Sequence, residues 1–222
     1  MKDIAILFDL DGTLLDTLED LKDATNHVLG CYDCPQRSLE EVRRFVGNGA
    51  RRLIAQALPG KADDPDTDEV LQAFQSYYKD HCQIKTKPYA GILEILDALR
   101  KAGYPMAIVS NKPDSAVKPL GARYFPGLYA QGETADCPRK PAPEMVFRAA
   151  ETLGVNPENC VYVGDSEVDV LTAKNAGMVC LSVLWGFRDE AELRENGALY
   201  FCEKPCEIPE KVKELERIIH GK

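Results

Sequence analysis

Four apolar runs of strand length, each ending in acidic or polar residues, constrain the fold of this chain more than any other feature. They span residues 4–10 (IAILFDL), 105–110 (PMAIVS), 160–164 (CVYVG) and 179–184 (VCLSVL). Runs this continuous are typical of strands buried on both faces of a sheet. Helical spacing lies between them in residues 92–102, 142–153 and 168–176, and a glycine follows each segment. The alternation predicts an α/β fold with a parallel sheet between helical layers.

Residues 17–85 interrupt this alternation, because they carry helical patterns and no strand pattern. Helices are predicted at residues 18–29, from the capping box at 38–41 (SLEE), at 50–58, and from the cap at 66–69 (DTDE) to about residue 82. Asp16, or else Thr17, is the expected N-cap of the first helix. Residues 59–67 form a polar, turn-rich loop. We therefore predict a doubly wound, Rossmann-like core (1–16 and 86–222) with an inserted helical cap domain (17–85).

The charge balance argues against several classes of partner. The 222 residues carry a formal net charge of −9, whereas binding to a nucleic acid backbone needs clustered Lys and Arg. Residues 4–8 are too few for a secretory signal, and the longest other apolar stretch, 178–185, is far below the ~20 residues of a membrane span. We expect a cytoplasmic protein, monomeric or homodimeric, with no nucleic acid or membrane partner.

The eight cysteines do not form a recognisable metal site. Cys31 and Cys34 form one C-x-x-C pair, and Cys202 and Cys206 form a looser one, but a structural zinc site needs four well-spaced ligands. Reduced thiols are the simplest interpretation.

Acidic and polar side chains follow three of the predicted strands. Asp9 and Asp11 end the first, Ser110 ends the second, and Asp165 and Asp169 follow the third. Ligands of parallel α/β sheets bind outside the carboxyl ends of the strands, so these groups are expected to meet. Carboxylates this close repel each other unless a cation holds them, and oxygen ligands without His or Cys favour Mg²⁺.

These residue types suit phosphoryl transfer. A desolvated carboxylate such as Asp9 can act as a nucleophile, and Asp11 can protonate a leaving group and then activate water. Gly12 permits a close backbone approach. Ser110, backbone N–H groups and a lysine, best Lys140, would hold the transferred group.

Four motifs, in order, resemble those of the haloacid dehalogenase superfamily. They are Asp9-Leu-Asp-Gly-Thr-Leu-Leu-Asp16, Val109-Ser-Asn-Lys112, Arg139-Lys-Pro-Ala-Pro143 and Gly164-Asp-Ser-Glu-Val-Asp169. The inserted cap is similar to that of the phosphoglycolate phosphatase-like branch. The resemblance implies that Asp9 is the nucleophile and Asp11 the general acid/base, and that Ser110 and Lys140 hold the phosphoryl group. It implies a Mg²⁺ site of Asp9, the backbone carbonyl of Asp11, Asp165 and, directly or through water, Asp169. It also implies a phosphate site of Gly12, Thr13, Ser110, Asn111 and Lys140.

A glycine-containing segment of the cap, residues 45–54, resembles the cap loop that faces the active site in this branch. On that interpretation Asn48, Gly49 and Arg51 contact the substrate. A helix-to-helix turn with solvated arginines is the alternative.

The sequence thus predicts a Mg²⁺-dependent phosphatase that hydrolyses a small phosphate monoester, phosphoglycolate being the type, through an aspartyl-phosphate intermediate. Pyrophosphate hydrolysis and sugar-phosphate mutation on the same core are the alternatives. A non-enzymatic phosphate-sensing protein is disfavoured, because Asp11 supplies a turnover residue and the cap supplies an enclosure.

Overall fold

The computed structural model describes residues 2–60 and 66–221, apart from the side chain of Asp66. Most of the predicted loop at 59–67, and the side chain of the predicted cap at Asp66, therefore lie outside the described residues. Within the described ranges, no helix is both long and apolar enough to cross a bilayer.

The core is a six-stranded parallel sheet in the order β5-β4-β1-β6-β7-β8. Its strands are β1 (Ala5–Phe8), β4 (Met106–Pro113), β5 (Tyr129–Glu133), β6 (Cys160–Gly164), β7 (Val179–Val183) and β8 (Tyr200–Cys202). The four predicted strands are β1, β4, β6 and β7. The sequence patterns did not predict the two outer strands, β5 and β8. The α/β prediction with a parallel sheet is confirmed.

Helices cover both faces of the sheet because side chains alternate along its strands. Ile4, Ile6 and Phe8 point into one apolar cluster with α5 and α10, whereas Ala5 and Leu7 point into a second cluster with α7 and α8. The core helices are α5 (Ile92–Lys101), α6 (Asp114–Tyr124), α7 (Glu144–Leu153), α8 (Glu167–Ala176), α9 (Glu190–Glu195) and α10 (Ile208–His220). The predicted α5, α7 and α8 are confirmed to within two residues.

Four helices follow β1 in the sequence and precede the other strands of the six-stranded sheet. They enclose an apolar cluster of their own. They are α1 (Leu18–Cys31), α2 (Leu39–Phe45), α3 (Ala50–Ala57) and α4 (Asp66–His81). The predicted capping box is present, since Ser38 Oγ accepts from the Glu41 N–H at 3.2 Å and Glu41 Oε2 accepts from the Ser38 N–H at 2.8 Å. We call these helices the cap; its division from the core at residues 17 and 85 stays a prediction.

The prediction that Asp16 caps α1 is wrong. Asp16 lies in a two-residue strand, β2 (Leu15–Asp16), which pairs antiparallel with β3 (Lys87–Pro88) where the chain enters and leaves the cap. Thr17 occupies the N-cap position, but its side chain makes no capping hydrogen bond. Because Asp16 pairs with β3, its backbone is extended, and it lies one residue before the N-cap position of α1.

The cap also contacts the core through the loop after β7. The Phe187 side chain belongs to the apolar cluster of the cap. Arg188, which is 8% exposed, donates to the carbonyl oxygens of Arg43 (3.1 Å) and Val46 (2.8 Å) at the end of α2. Arg43 in turn donates to the carbonyl oxygens of Gly186 and Phe187, both at 2.9 Å. These reciprocal contacts satisfy carbonyl groups that α2 and the loop would otherwise leave unpaired.

We expect Arg188→Met to lower the free energy of unfolding by about 2–4 kcal/mol, because it keeps the aliphatic stem but leaves several carbonyl oxygens without donors. Arg188→Lys should recover part of the loss, since an ammonium cannot reproduce the planar fork. Urea denaturation measures both. Arg194→Met is the control, because Arg194 is exposed and its side chain contacts Glu190 and the Phe201 ring rather than backbone carbonyl oxygens. Equal losses for Arg188→Met and Arg194→Met would contradict this account.

Candidate active site

The candidate site lies at the carboxyl ends of the three adjacent strands β4, β1 and β6. Asp9 directly follows β1, and its N–H donates to the Val163 carbonyl of β6 at 2.9 Å. Ser110 lies in β4, and Asp165 directly follows β6. All three side chains are buried. The structure therefore brings together Asp9, Ser110 and Asp165 at the edge where the sequence predicts them.

Lys140 is the cation around which the acids gather. Its Nζ lies 2.9 Å from Asp9 Oδ1 and 2.7 Å from Asp169 Oδ1, and it donates to the Tyr162 hydroxyl at 2.9 Å. Burial alone would lower the pKa of Lys140, but the charges of Asp169 and Asp9 outweigh it and hold that pKa well above its ordinary value. Lys140 is therefore charged at neutral pH.

Asp165 is held from two sides. Thr13 Oγ1 donates to its Oδ1 at 2.9 Å, and the Phe187 N–H donates to its Oδ2 at 2.8 Å. A Cβ atom at Gly12 or Gly186 would overlap this carboxylate, so both positions require glycine. Gly12 also has a φ of +84°, which side chains rarely adopt.

Asp169 supports the site through contacts within the chain. Its Oδ2 accepts from the N–H groups of Asp165 and Ser166 at 3.2 and 3.0 Å and from the Ser166 hydroxyl at 2.6 Å. Its Oδ1 accepts from Lys140. Both oxygens thus have partners, and Asp169 fixes the start of α8 and the position of Lys140.

The acidic residues fit a divalent cation. Asp9, Asp165 and Asp169 offer oxygen atoms that all lie within 4.8 Å of one another. Asp9 Oδ1 is buried and accepts no hydrogen bond from any residue that the structure describes, in spite of the nearby Lys140. Burial raises the pKa of Asp9 well above its ordinary value, and burial together with Asp169 raises that of Asp165 to about 7. A bound cation would offset this cost and keep the carboxylates ionised.

Asp11 has partners that the sequence analysis did not predict. Lys112 Nζ donates to Asp11 Oδ1 at 2.8 Å and to the hydroxyl of Tyr78, on cap helix α4, at 2.6 Å. Burial acts to lower the pKa of Lys112, but Asp11 and Tyr78 outweigh it, so the pKa lies above its ordinary value.

The predicted phosphate-binding residues divide into two groups. Ser110 lines the cleft between cap and core, and its Oγ accepts from the Lys112 N–H at 3.2 Å. Lys140 lies beside Asp9, as described above. Three other groups of the predicted residues are bonded within the chain. The Thr13 hydroxyl holds Asp165, the Gly12 N–H donates to the Leu15 carbonyl at 2.9 Å, and the Asn111 side chain bonds the backbone of Lys140 and the Gly47 carbonyl.

A cavity of about 370 Å³ lies between the cap and these residues. Asp9, Asp11 and Ser110 line its core side, and its cap side is largely apolar, formed by Leu21, Val46, Ala50, Leu53, Phe74 and Tyr78.

Of the three predicted cap residues, Gly49 lines the cavity. Asn48 donates to Glu167 of the core at 3.2 Å. Arg51 lies on the exposed side of α3, pairs with Asp68 and is not among the lining residues. The structure therefore does not bring Arg51 to the cleft, because the helical register of α3 turns Leu53 and Ala50 inward instead.

Three contributors were missed by sequence reasoning: Lys112, Tyr78 and Tyr162. Side chains two residues apart along a strand lie on the same face of the sheet, so Lys112 is expected on the same face of β4 as Ser110. This spacing is the sequence signal that could have pointed to Lys112. Tyr78 belongs to a helix far away in the sequence, and no local pattern marks it.

This combination of fold and site is that of a known family. The model of the haloacid dehalogenase-like hydrolases matches residues 6–183, so the chain belongs to that family. The resemblance noted in the motifs, and the prediction of an enzyme of this hydrolase class, are thereby confirmed.

Among relatives with a described activity, phosphoglycolate phosphatase 1 of Pseudomonas aeruginosa is 34% identical over 201 residues, which cover 86% of this chain and 73% of the relative. N-acetylmuramic acid 6-phosphate phosphatase of the same organism is also 34% identical, over 82% of both chains. Among solved structures, a protein of Lactobacillus delbrueckii subsp. bulgaricus, proposed to be a phosphoglycolate phosphatase, superposes with a TM-score of 0.87 at 36% identity and covers 99% of both chains.

We expect Mg²⁺ to raise the melting temperature more at pH 8 than at pH 5. The raised pKa of Asp165 means that the metal-free fold is stabilised while this acid is protonated, and that this contribution is lost as pH rises through about 7. Bound Mg²⁺ replaces the proton, so its stabilising effect grows over the same range. Thermal unfolding with and without Mg²⁺ measures this.

The Asp165→Asn variant, which cannot ionise at this position, should show a smaller Mg²⁺ effect and a flatter pH dependence. Asp136→Asn, at an exposed acid paired with Arg148, is the matched control and should behave like the wild type. An equal Mg²⁺ effect at both pH values in the wild type would contradict the metal assignment.

Proposed function

We propose that this chain is a Mg²⁺-dependent phosphatase that hydrolyses a small phosphate monoester, of the phosphoglycolate type, through a phosphorylated Asp9. The observation that carries the proposal is the buried Asp9 carboxylate, which lines the cavity. Its Oδ1 lies 2.9 Å from Lys140 Nζ and accepts no hydrogen bond from the described residues. Such a carboxylate is desolvated, held in place and open to an incoming phosphorus atom. The cytoplasmic location and the monomeric or homodimeric state stay predictions.

In the first step, the Asp9 carboxylate attacks phosphorus and the bond from phosphorus to the leaving-group oxygen breaks. Asp11 donates a proton to that oxygen, so the alcohol leaves as a neutral molecule. Lys140 and the Ser110 hydroxyl hold the transferred group and oppose the charge on its oxygens. Mg²⁺ would be held by Asp9, the Asp11 backbone carbonyl and Asp165, with support from Asp169, and would supply further positive charge for these oxygens and for the clustered carboxylates.

In the second step, a water molecule loses a proton to Asp11 and attacks the phosphorus of the acyl phosphate. The bond from phosphorus to the Asp9 oxygen breaks, which releases inorganic phosphate and restores the Asp9 carboxylate. Asp11 thus gives a proton in one step and takes one in the next, and the cycle balances.

The choice of monoester depends on the cavity rather than on the core. Two relatives of equal identity carry names with very different substrates, a two-carbon acid phosphate and an amino-sugar phosphate. A phosphate-release panel with Mg²⁺ would therefore include phosphoglycolate, N-acetylmuramic acid 6-phosphate, other hexose phosphates, nucleoside monophosphates and pyrophosphate. A preference for pyrophosphate, or isomerised sugar phosphate without phosphate release, would replace the monoesterase proposal by one of the two alternatives.

We expect Asp9→Asn to lower kcat for phosphate release by about three orders of magnitude or more, because the amide cannot form the covalent intermediate. Phosphate release from an aryl phosphate with Mg²⁺ measures the loss. Asp136→Asn is again the matched control. Retention of more than a tenth of the activity by a folded Asp9→Asn variant would exclude Asp9 as the nucleophile.

We expect Asp11→Asn to trap the phosphorylated enzyme. With an aryl phosphate, whose leaving group needs little protonation, Asp9 is still phosphorylated, but hydrolysis slows by a factor on the order of 10²–10⁴ because no base activates water. Intact-protein mass spectrometry during turnover would show one added phosphoryl group. Rapid steady-state turnover without its accumulation would contradict the acid/base role.

A further inference from the structure

Lys112 is a buried cation that the mechanism above does not use. Its side chain is 4% exposed, it lines the cavity, and it lies between Asp11 of the core and Tyr78 of the cap. Nζ makes hydrogen bonds of 2.8 Å to Asp11 Oδ1 and 2.6 Å to the Tyr78 hydroxyl, and it also lies 4.7 Å from the centre of the Tyr78 ring. Burying an ammonium is costly unless it is paired and hydrogen-bonded, so these contacts fix its position.

The contacts orient one oxygen of Asp11 and leave the other open. Oδ1 accepts from Lys112, whereas no side chain or N–H group in the described parts of the chain donates to Oδ2. An aspartate held by one oxygen can present the other to a leaving group or to water at a fixed angle. Loss of such orientation is costly in proton transfer even when the carboxyl group itself is intact.

Lys112 also reaches the phosphate side of the site. Its N–H donates to Ser110 Oγ at 3.2 Å. One residue therefore supports both the acid/base and the hydroxyl that is proposed to hold the phosphoryl group.

The third partner ties this arrangement to the cap. Tyr78 lies on α4, is 4% exposed and stacks on Phe74 at 5.3 Å between ring centres. Both rings belong to the apolar cluster of the cap and line the cavity. The Tyr78 hydroxyl can contact Lys112 only while α4 lies over the core.

We propose that Lys112 is the positioning residue for Asp11 and that the Tyr78 hydroxyl holds Lys112 in place, so that the acid/base is fully oriented only when the cap covers the core. This inference rests on the proposed phosphatase function. In both steps Lys112 stays protonated and exchanges no atoms with the substrate. The proton moves between Asp11 and the leaving group or water, as described above.

The test compares two classes of monoester with the full chain and Mg²⁺. Aryl phosphates with good leaving groups need little general-acid help, whereas alkyl phosphates need it fully. In single-turnover experiments, we expect Lys112→Met to slow phosphorylation of Asp9 by an alkyl phosphate by a factor on the order of 10², and phosphorylation by 4-nitrophenyl phosphate by less than about tenfold. With 4-nitrophenyl phosphate, the phosphorylated enzyme should accumulate, as in Asp11→Asn.

Two further variants separate positioning from folding. Lys112→Arg keeps the charge and should restore part of the alkyl phosphate activity. Tyr78→Phe removes only the hydroxyl and should lower kcat for the alkyl phosphate several-fold with little change in KM, because the apolar wall is kept. Should Lys112→Met fail to fold, Tyr78→Phe still carries the test.

The matched controls are Tyr77→Phe and Lys118→Met. Tyr77 is the neighbour of Tyr78, but its ring stacks between His27 and His81, with both centres 3.8 Å away. Lys118 lies on α6 and pairs with Asp114. Both variants should match the wild type on both substrates.

The outcomes are distinct. If the wild type releases phosphate but the Lys112 and Tyr78 variants slow phosphorylation of Asp9 equally with alkyl and aryl phosphates, the positioning role is wrong and the proposed function stands. A folded Lys112→Met variant with wild-type activity also overturns the positioning role. If the wild type releases no phosphate from any monoester, the proposed function itself falls, and the positioning role falls with it.

Discussion

The contact of a buried lysine with two buried aspartates is the interaction on which the rest of the site depends. Lys140 places its ammonium between Asp9 and Asp169, and without it three carboxylates at one sheet edge would repel one another in a poorly solvated space. Burial raises the pKa values of Asp9 and Asp165, the neighbouring carboxylates raise them further, and one lysine does not offset both effects. A cation bound at this edge of the sheet would offset the remaining cost.

Close packing around these carboxylates explains several residues that have no chemistry of their own. Gly12 and Gly186 leave room for Asp165, and a Cβ at Gly164 would overlap Asp169. The Thr13 hydroxyl and the Asn111 side chain hold Asp165 and Lys140, whereas the expected phosphate contacts of these two residues concern their backbone N–H groups and stay a prediction. Much of each motif therefore builds the position of a charged group, and only a few atoms are left to face the substrate.

Local patterns in the sequence predicted the parts of the molecule that depend on local physics. The four continuous apolar strands and the Ser38 capping box can each be recognised from residues that lie close together in the sequence. By contrast, β5 (YAQGE) and β8 (YFC) are short edge strands without a continuous apolar run. Asp16 was misassigned because it pairs with Lys87, and the whole cap separates these two residues in the sequence. Tyr78 was missed for the same reason, since its contact with Lys112 joins two segments that only the folded chain brings together.

The cap is tied to both sides of the catalytic edge. On one side, the loop that carries Phe187 and Arg188 holds α2 through its carbonyl oxygens and holds Asp165 through the Phe187 N–H. On the other side, Tyr78 of α4 contacts Lys112 and, through it, Asp11. Displacement of the cap would therefore release a candidate metal ligand and the candidate acid/base together. A substrate that packs against the apolar cap side of the cavity would keep the cap in place, and would thereby keep the candidate metal ligand and the candidate acid/base in position. Selection of the substrate by the cap is in this way linked to catalysis by the core.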